Sequence, residues 1–154
     1  MKRIILGVAV AGLAMPLAAQ PGPDWRMIAA DDAGEPGNTV GAAIAFVDAG
    51  SIERLADETR FTMEVRYLNQ RGGQDNGLRS RLRVRCDPPQ WASVETVVLR
   101  DAEPVHRAGP EDFSPVNPST NAANVVRAIC SGTLSAERVA DPIARAREIL
   151  GRSR

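Results

Sequence analysis

The sequence predicts an α+β domain, an antiparallel β-sheet packed against one or two C-terminal helices and closed by one disulfide. Three observations predict it. Residues 60–67 and 78–86 alternate apolar and polar side chains with period two, the pattern of half-buried strands. From residue 119 the apolar spacing becomes helical, at Ala122, Val125, Val126, Ile129 and Cys130. Cys86 and Cys130, the two cysteines of the 154-residue chain, close the second strand and this helix respectively. The composition, 44% hydrophobic and 25% charged, is too polar for a polytopic membrane protein. It is also too rich in Val, Ile, Leu and Phe for a disordered chain.

Residues 1–19 read as a signal peptide. Lys2 and Arg3 form a basic start, residues 4–17 are uncharged and apolar, and Ala18-Ala19 supply the small residues of a cleavage site after Ala19. A membrane anchor needs about twenty apolar residues, and this run is shorter. No membrane span is therefore expected after cleavage. Lys2 is the only lysine; its loss with Arg3 turns 19 basic against 19 acidic groups into a small acidic excess. Such a charge disfavours a nucleic-acid partner, whose binding depends on phosphate neutralisation. Export also favours a bridge between Cys86 and Cys130, worth about 4 kcal/mol for a loop of this length.

Residues 20–38 form an extended lead-in, with Trp25 and Ile28 pinned onto the domain. Asp31, Asp32 and Glu35 lack the alternating spacing of a calcium loop and read as solvated. Residues 39–131 hold the main domain. Residues 39–47 form a buried strand, Asp48-Ala49-Gly50 a turn, and residues 51–58 a second short segment. Phe61, Met63, Val65 and Tyr67 then share one strand face, with Arg60, Thr62, Glu64 and Arg66 on the other. Residues 69–77 carry hairpin chemistry in Gly72-Gly73 and Asp75-Asn76-Gly77. In the partner strand, Leu78, Ser80, Leu82, Val84 and Cys86 oppose Arg79, Arg81, Arg83 and Arg85. Asp87-Pro88-Pro89-Gln90 turns the chain into a strand over residues 91–100.

The connection 101–118 holds four prolines, which suit an edge strand plus loop. Ser119 or Thr120 caps the helix that follows. Residues 132–154 are a helical tail; Asp141 caps a helix with Pro142 at its first position, Ile143, Ala146 and Leu150 face inward, and Gly151 stops it.

These landmarks resemble the surface-adhesin protein E-like family over residues 37–131. The resemblance rests on Phe46-Val47-Asp48-x-x-Ser51-Ile52, the two alternating strands ending in Cys86-Asp87, and Pro118-Ser119-Thr120 opening a helix that ends in Cys130. It implies a small exported bacterial domain with an antiparallel sheet against a C-terminal helix. It further implies adhesin-like binding of host matrix and serum proteins, although no motif position carries that activity over residue by residue. No lipobox cysteine lies near the cleavage site, and residues 133–154 extend beyond the pattern.

The arginines are the sequence's candidate site. Arg79, Arg81, Arg83 and Arg85 share one strand face, and Arg60 and Arg66 join them if the hairpin pairs like face with like. Glu64 is then their single counter-charge on the two strands. Guanidinium forks match phosphate, sulfate and carboxylate, so this face is a candidate anion or ligand site. The alternative is a solvated face neutralised by Glu95 or other acids, with arginine stems covering apolar surface. Asp48, Ser51 and Asp87 read as turn formers.

Catalytic and metal chemistry have little support. His106 stands alone in a Pro-rich loop, no nucleophile or metal motif is present, and no cofactor is expected. Asp57-Glu58 and Glu111-Asp112 are the acidic pairs that a small periplasmic hydrolase would draw on. The leading expectation is a non-enzymatic protein, periplasmic or at the cell surface, that binds an acidic or protein ligand. The alternative is an envelope assembly component that acts through a protein interface, such as a homodimer.

Overall fold

The computed structural model describes residues 22–30, 43–68, 75–100 and 102–152. The segment 1–19, expected to be a signal peptide, the Asp31–Asp32–Glu35 group, the first residues of the expected 39–47 strand and the 69–74 connection lie outside them. The expected α+β architecture is present. The strands are β1 (Trp25–Ala30), β2 (Ala43–Arg54), β3 (Thr59–Leu68), β4 (Asp75–Cys86), β5 (Pro89–Arg100), β6 (Glu103–Ala108), β7 (Ser114–Pro115) and β8 (Arg138–Val139). The helices are α1 (Asn121–Ser131) and α2 (Pro142–Arg152). All pairings are antiparallel, in the order β6-β5-β4-β3-β2-β1-β8, and β7 pairs with the other end of β5.

Alternation along β2 sorts the core into two layers. Ala45 and Val47 point to one side and pack with Phe61, Met63, Leu82 and Val84 beneath Val125, Val126 and Ile129 of α1. Ile44 and Phe46 point to the other side and pack with Trp25, Val139 and Ala146 of α2. The two helices therefore cover opposite faces of one sheet. Local chemistry sets two of the helix ends, at Gly132 and at Asp141. Thr120 is the N-cap residue of α1, although its side chain makes no capping bond, and Gly132 closes that helix at φ 72°, where a Cβ is disfavoured. Asp141 Oδ1 accepts the N–H groups of Ile143 and Ala144 to open α2, which runs one residue past the expected stop at Gly151.

The disulfide expected between Cys86 and Cys130 is present, with Cα atoms 5.7 Å apart, and ties the end of β4 to α1. The edge strand and loop expected from the prolines of 101–118 are β6, β7 and their connections.

Two local expectations are corrected. The turn at Asp48-Ala49-Gly50 is instead part of the continuous strand β2, where residues 49–52 bulge between the pairs Asp48↔Thr62 and Glu53↔Arg60. Side chains hold this bulge: Asp48 Oδ1 accepts the N–H groups of Asp24 and Gly50, and Ser51 Oγ donates to the Asp48 carbonyl while accepting from Thr62 N–H. Asp75-Asn76-Gly77 belongs to β4, paired with Leu68, Tyr67 and Arg66, rather than to the hairpin turn. Gly77 is in the ladder because the Arg66 side chain crosses it; a Cβ there would sit 2.9 Å from Arg66 Cδ and 2.8 Å from the Val65 carbonyl oxygen. The lead-in is extended and pinned as expected: it supplies β1, in which Trp25 is buried and Ile28 packs against the α1-side core.

Candidate functional site

The register of β3 and β4 settles which side chains share a face. Arg60 pairs with Arg83, Thr62 with Arg81, Glu64 with Arg79 and Arg66 with Gly77, so like face meets like. All six expected arginines lie on the face that carries Ile44, Phe46 and α2. On the next strand, Glu95 lies opposite Arg81 and Val97 opposite Arg79; on β6, Arg107 lies opposite Val97. Arg107 thus joins the same face.

The environment changes along this face. At the α2 end, Arg66 and Glu64 are 2% and 1% exposed and joined by a 2.6 Å contact between Arg66 Nε and Glu64 Oε1. Glu64 Oε2 receives Arg79 from the open side at 2.6 Å, and Arg79 also lies over the Trp25 ring. Arg66 is therefore buried in the sheet–helix interface and is not available to an external ligand as the sequence suggested. A charge sealed under α2 needs a partner in place, which Glu64 supplies at Nε, while Arg66 Nη1 is buried with no hydrogen-bond partner among the described residues.

Beyond the helix the face opens. Glu58 takes Arg60 at 2.7 Å and Arg83 at 3.8 Å, while Glu95 takes Arg107 at 2.8 Å and Arg81 at 3.5 Å. Each of the three carboxylates is thus shared by two guanidiniums. Arg85 stacks on Phe113, 4.1 Å from its centroid, and has no carboxylate partner among the described residues; Arg83 contacts the same ring from 4.7 Å. Seven arginines therefore meet three paired glutamates. Like charges opposed across strands, such as Arg60 and Arg83, repel, and one shared Glu58 offsets this only in part. Arg83 Nε is in addition a buried donor with no hydrogen-bond acceptor among the described residues.

Two clefts open on this surface and share Arg81 and Thr62. The larger, about 490 Å³, is walled by Ser51, Glu53, Arg60, Arg81 and Arg83. The smaller, about 340 Å³, lies between Arg79, Arg81, Glu95 and Arg107 over Val97 and Leu99. Arginines outnumber carboxylates in both linings, three to one in each, and a cleft with such an excess concentrates counter-ions. Glu95 was anticipated as a neutralising acid. Glu58 was legible two residues before Arg60 on the same strand face, whereas Glu53 is brought in only by the β2 bulge and Arg107 only by the pairing of β6.

The remaining candidates do not converge. His106 is exposed on β6, and neither Asp57-Glu58 nor Glu111-Asp112 lines either cleft. Among the described residues, no three His, Cys, Asp or Glu side chains are placed to hold a metal ion, and no helix is long and apolar enough to cross a membrane. No family model, curated protein or solved structure matches the chain. The resemblance to the surface-adhesin protein E-like family thus rests on the sequence landmarks alone.

Proposed function

We propose that this chain is a non-enzymatic exported protein that binds an acidic ligand on the open half of its arginine face, at the cell envelope or outside the cell. The observation that carries the reading is the sharing of each carboxylate by two arginines. It leaves a positive excess around two clefts in a chain whose overall charge is balanced. Partnered arginine forks still have N–H donors facing outward, and these suit sulfate, phosphate or carboxylate. The N-terminal segment and the Cys86–Cys130 bridge support export, and the adhesin-like landmarks support a binding role.

The test uses purified protein lacking residues 1–19 on heparin-agarose and on immobilised poly-glutamate, at low and physiological salt. Wild type is retained and eluted by salt, because exposed charge contacts are screened. Arg60→Ala/Arg81→Ala loses retention while keeping its melting transition. A folded wild type that passes through both matrices at low salt overturns the reading.

One observation favours a second reading, an assembly component. Strand β6 is an exposed edge with Val105 half exposed, which offers a ladder to a second copy. Light scattering separates the two: a dimer that persists in high salt favours assembly.

A further inference from the structure

The two clefts differ from a simple anion trap in one respect, because carboxylates stand among the guanidiniums. Glu53 lines the larger cleft beside its cross-strand partner Arg60 and has no ion-pair partner among the described residues. Glu95 lines the smaller one between Arg81 and Arg107. An ionised carboxylate only accepts hydrogen bonds and repels an anion. The hydroxyls of Ser51 and Thr62 in the larger cleft add groups that donate or accept. A ligand that suits both clefts must therefore bring anionic groups for the arginines and O–H donors for Glu53 and Glu95. An acidic peptide brings carboxylates without that density of hydroxyls. A single-stranded nucleic acid needs open aromatic faces, and Phe113 is covered by Arg83 and Arg85.

The clefts also form a track. Arg60 is in register with Arg83, and Arg107 with Val97 and so with Arg79; the path crosses four strands. At the usual spacings within and between strands, its ends are about 19 Å apart. Arg81 stands where the two clefts meet, and Arg79, Arg81 and Arg83 repeat about every 7 Å along β4. One anion occupies one cleft; filling both takes a chain of several sugar units.

We propose that the ligand is a linear acidic oligosaccharide lying across both clefts, its sulfate or carboxylate groups on Arg60, Arg81, Arg83 and Arg107 and its hydroxyls on Glu53 and Glu95. This rests on the binding reading above and adds the ligand class. The probes are heparin-derived di-, tetra- and hexasaccharides, alginate oligosaccharides of the same lengths, inorganic sulfate, and poly-glutamate matched in charge to the hexasaccharide. Titration calorimetry at physiological salt gives the affinities for wild type and Glu53→Gln.

Affinity is expected to rise at least about tenfold from the disaccharide to the hexasaccharide, as the second cleft becomes engaged intramolecularly. Glu53→Gln is expected to weaken the hexasaccharide severalfold and to strengthen poly-glutamate, since the amide removes the repulsion but accepts hydroxyls less well. The heparin and alginate arms separate sulfate from carboxylate chemistry. Poly-glutamate binding as tightly as the hexasaccharide, or Glu53→Gln improving both, overturns the glycan assignment and leaves the anion-binding reading standing. Sulfate or the disaccharide matching the hexasaccharide overturns the two-cleft track in the same way. Folded wild type that binds none of the probes overturns both proposals.

Discussion

The arginine face contains the same two residue types in two environments. Under α2, Arg66 and Glu64 are sealed from water and Arg79 completes a triad at the rim. A few residues away, Arg60, Arg81 and Arg107 are half exposed or more and share Glu58 and Glu95 with the open clefts between them. The first arrangement is structural, because a buried charge must be matched in place. The second can exchange its partners, because water and incoming anions compete for the same donors. Strand position alone does not distinguish them; the reach of α2 across the sheet does.

Breaking the fold's cross-link gives the largest expected effect and leaves the charges untouched. Cys86→Ser/Cys130→Ser should lower the unfolding free energy by about 4 kcal/mol, measured by urea denaturation. The arginine register should survive, so retention on an anionic matrix under native conditions should persist.

Glu64→Gln sharpens the comparison from the buried side. It leaves Arg66 without its carboxylate in a sealed interface, and a loss of about 3 kcal/mol is expected in the same assay. Replacing Arg66 and Glu64 together by apolar residues of similar volume should restore most of it, because both desolvation penalties disappear. Glu95→Gln, on the open half where both its arginine partners are well exposed, should cost less than about 1 kcal/mol.

The fold was largely legible in the sequence, for reasons these residues make clear. Period-two alternation at residues 60–67 and 78–86 placed Phe61, Met63, Leu82 and Val84 inward, and the oxidising-compartment argument paired Cys86 with Cys130. The site was legible in part. Alternation put Arg79, Arg81, Arg83 and Arg85 on one face, but the same rule could not say that Arg66 would lie under a helix from the end of the chain. Nor could local spacing show that a bulge in β2 turns Glu53 into the larger cleft, or that a proline-bearing edge strand delivers Arg107. Asp75-Asn76-Gly77 misled for a related reason: Gly77 has its value as space for a side chain from the neighbouring strand, a tertiary requirement that looks like turn chemistry.

The smallest effect concerns the seam that joins the tail to β1. Asp24 accepts hydrogen bonds from Arg138 and Arg26, and these, Arg138 first, hold its carboxyl well below the usual carboxylate range. A depressed folded value means that this contribution is fully present above the ordinary carboxylate value, about 3.9, and is lost as pH falls toward the folded value. Wild type should therefore lose stability below about pH 4 more steeply than Asp24→Asn, in melting curves at stepped pH.

The most direct test of the account is the binding isotherm of the heparin hexasaccharide at physiological salt, for wild type and for Arg60→Ala/Arg81→Ala, with urea unfolding of both alongside. The variant is expected to lose at least tenfold in affinity, about 1.4 kcal/mol, with the unfolding free energy changed by less than about 1 kcal/mol. Unchanged binding in the folded variant would contradict it and return these arginines to a solvated face. A loss of stability as large as that of Glu64→Gln would place the open arginines with the buried ones, as part of the fold.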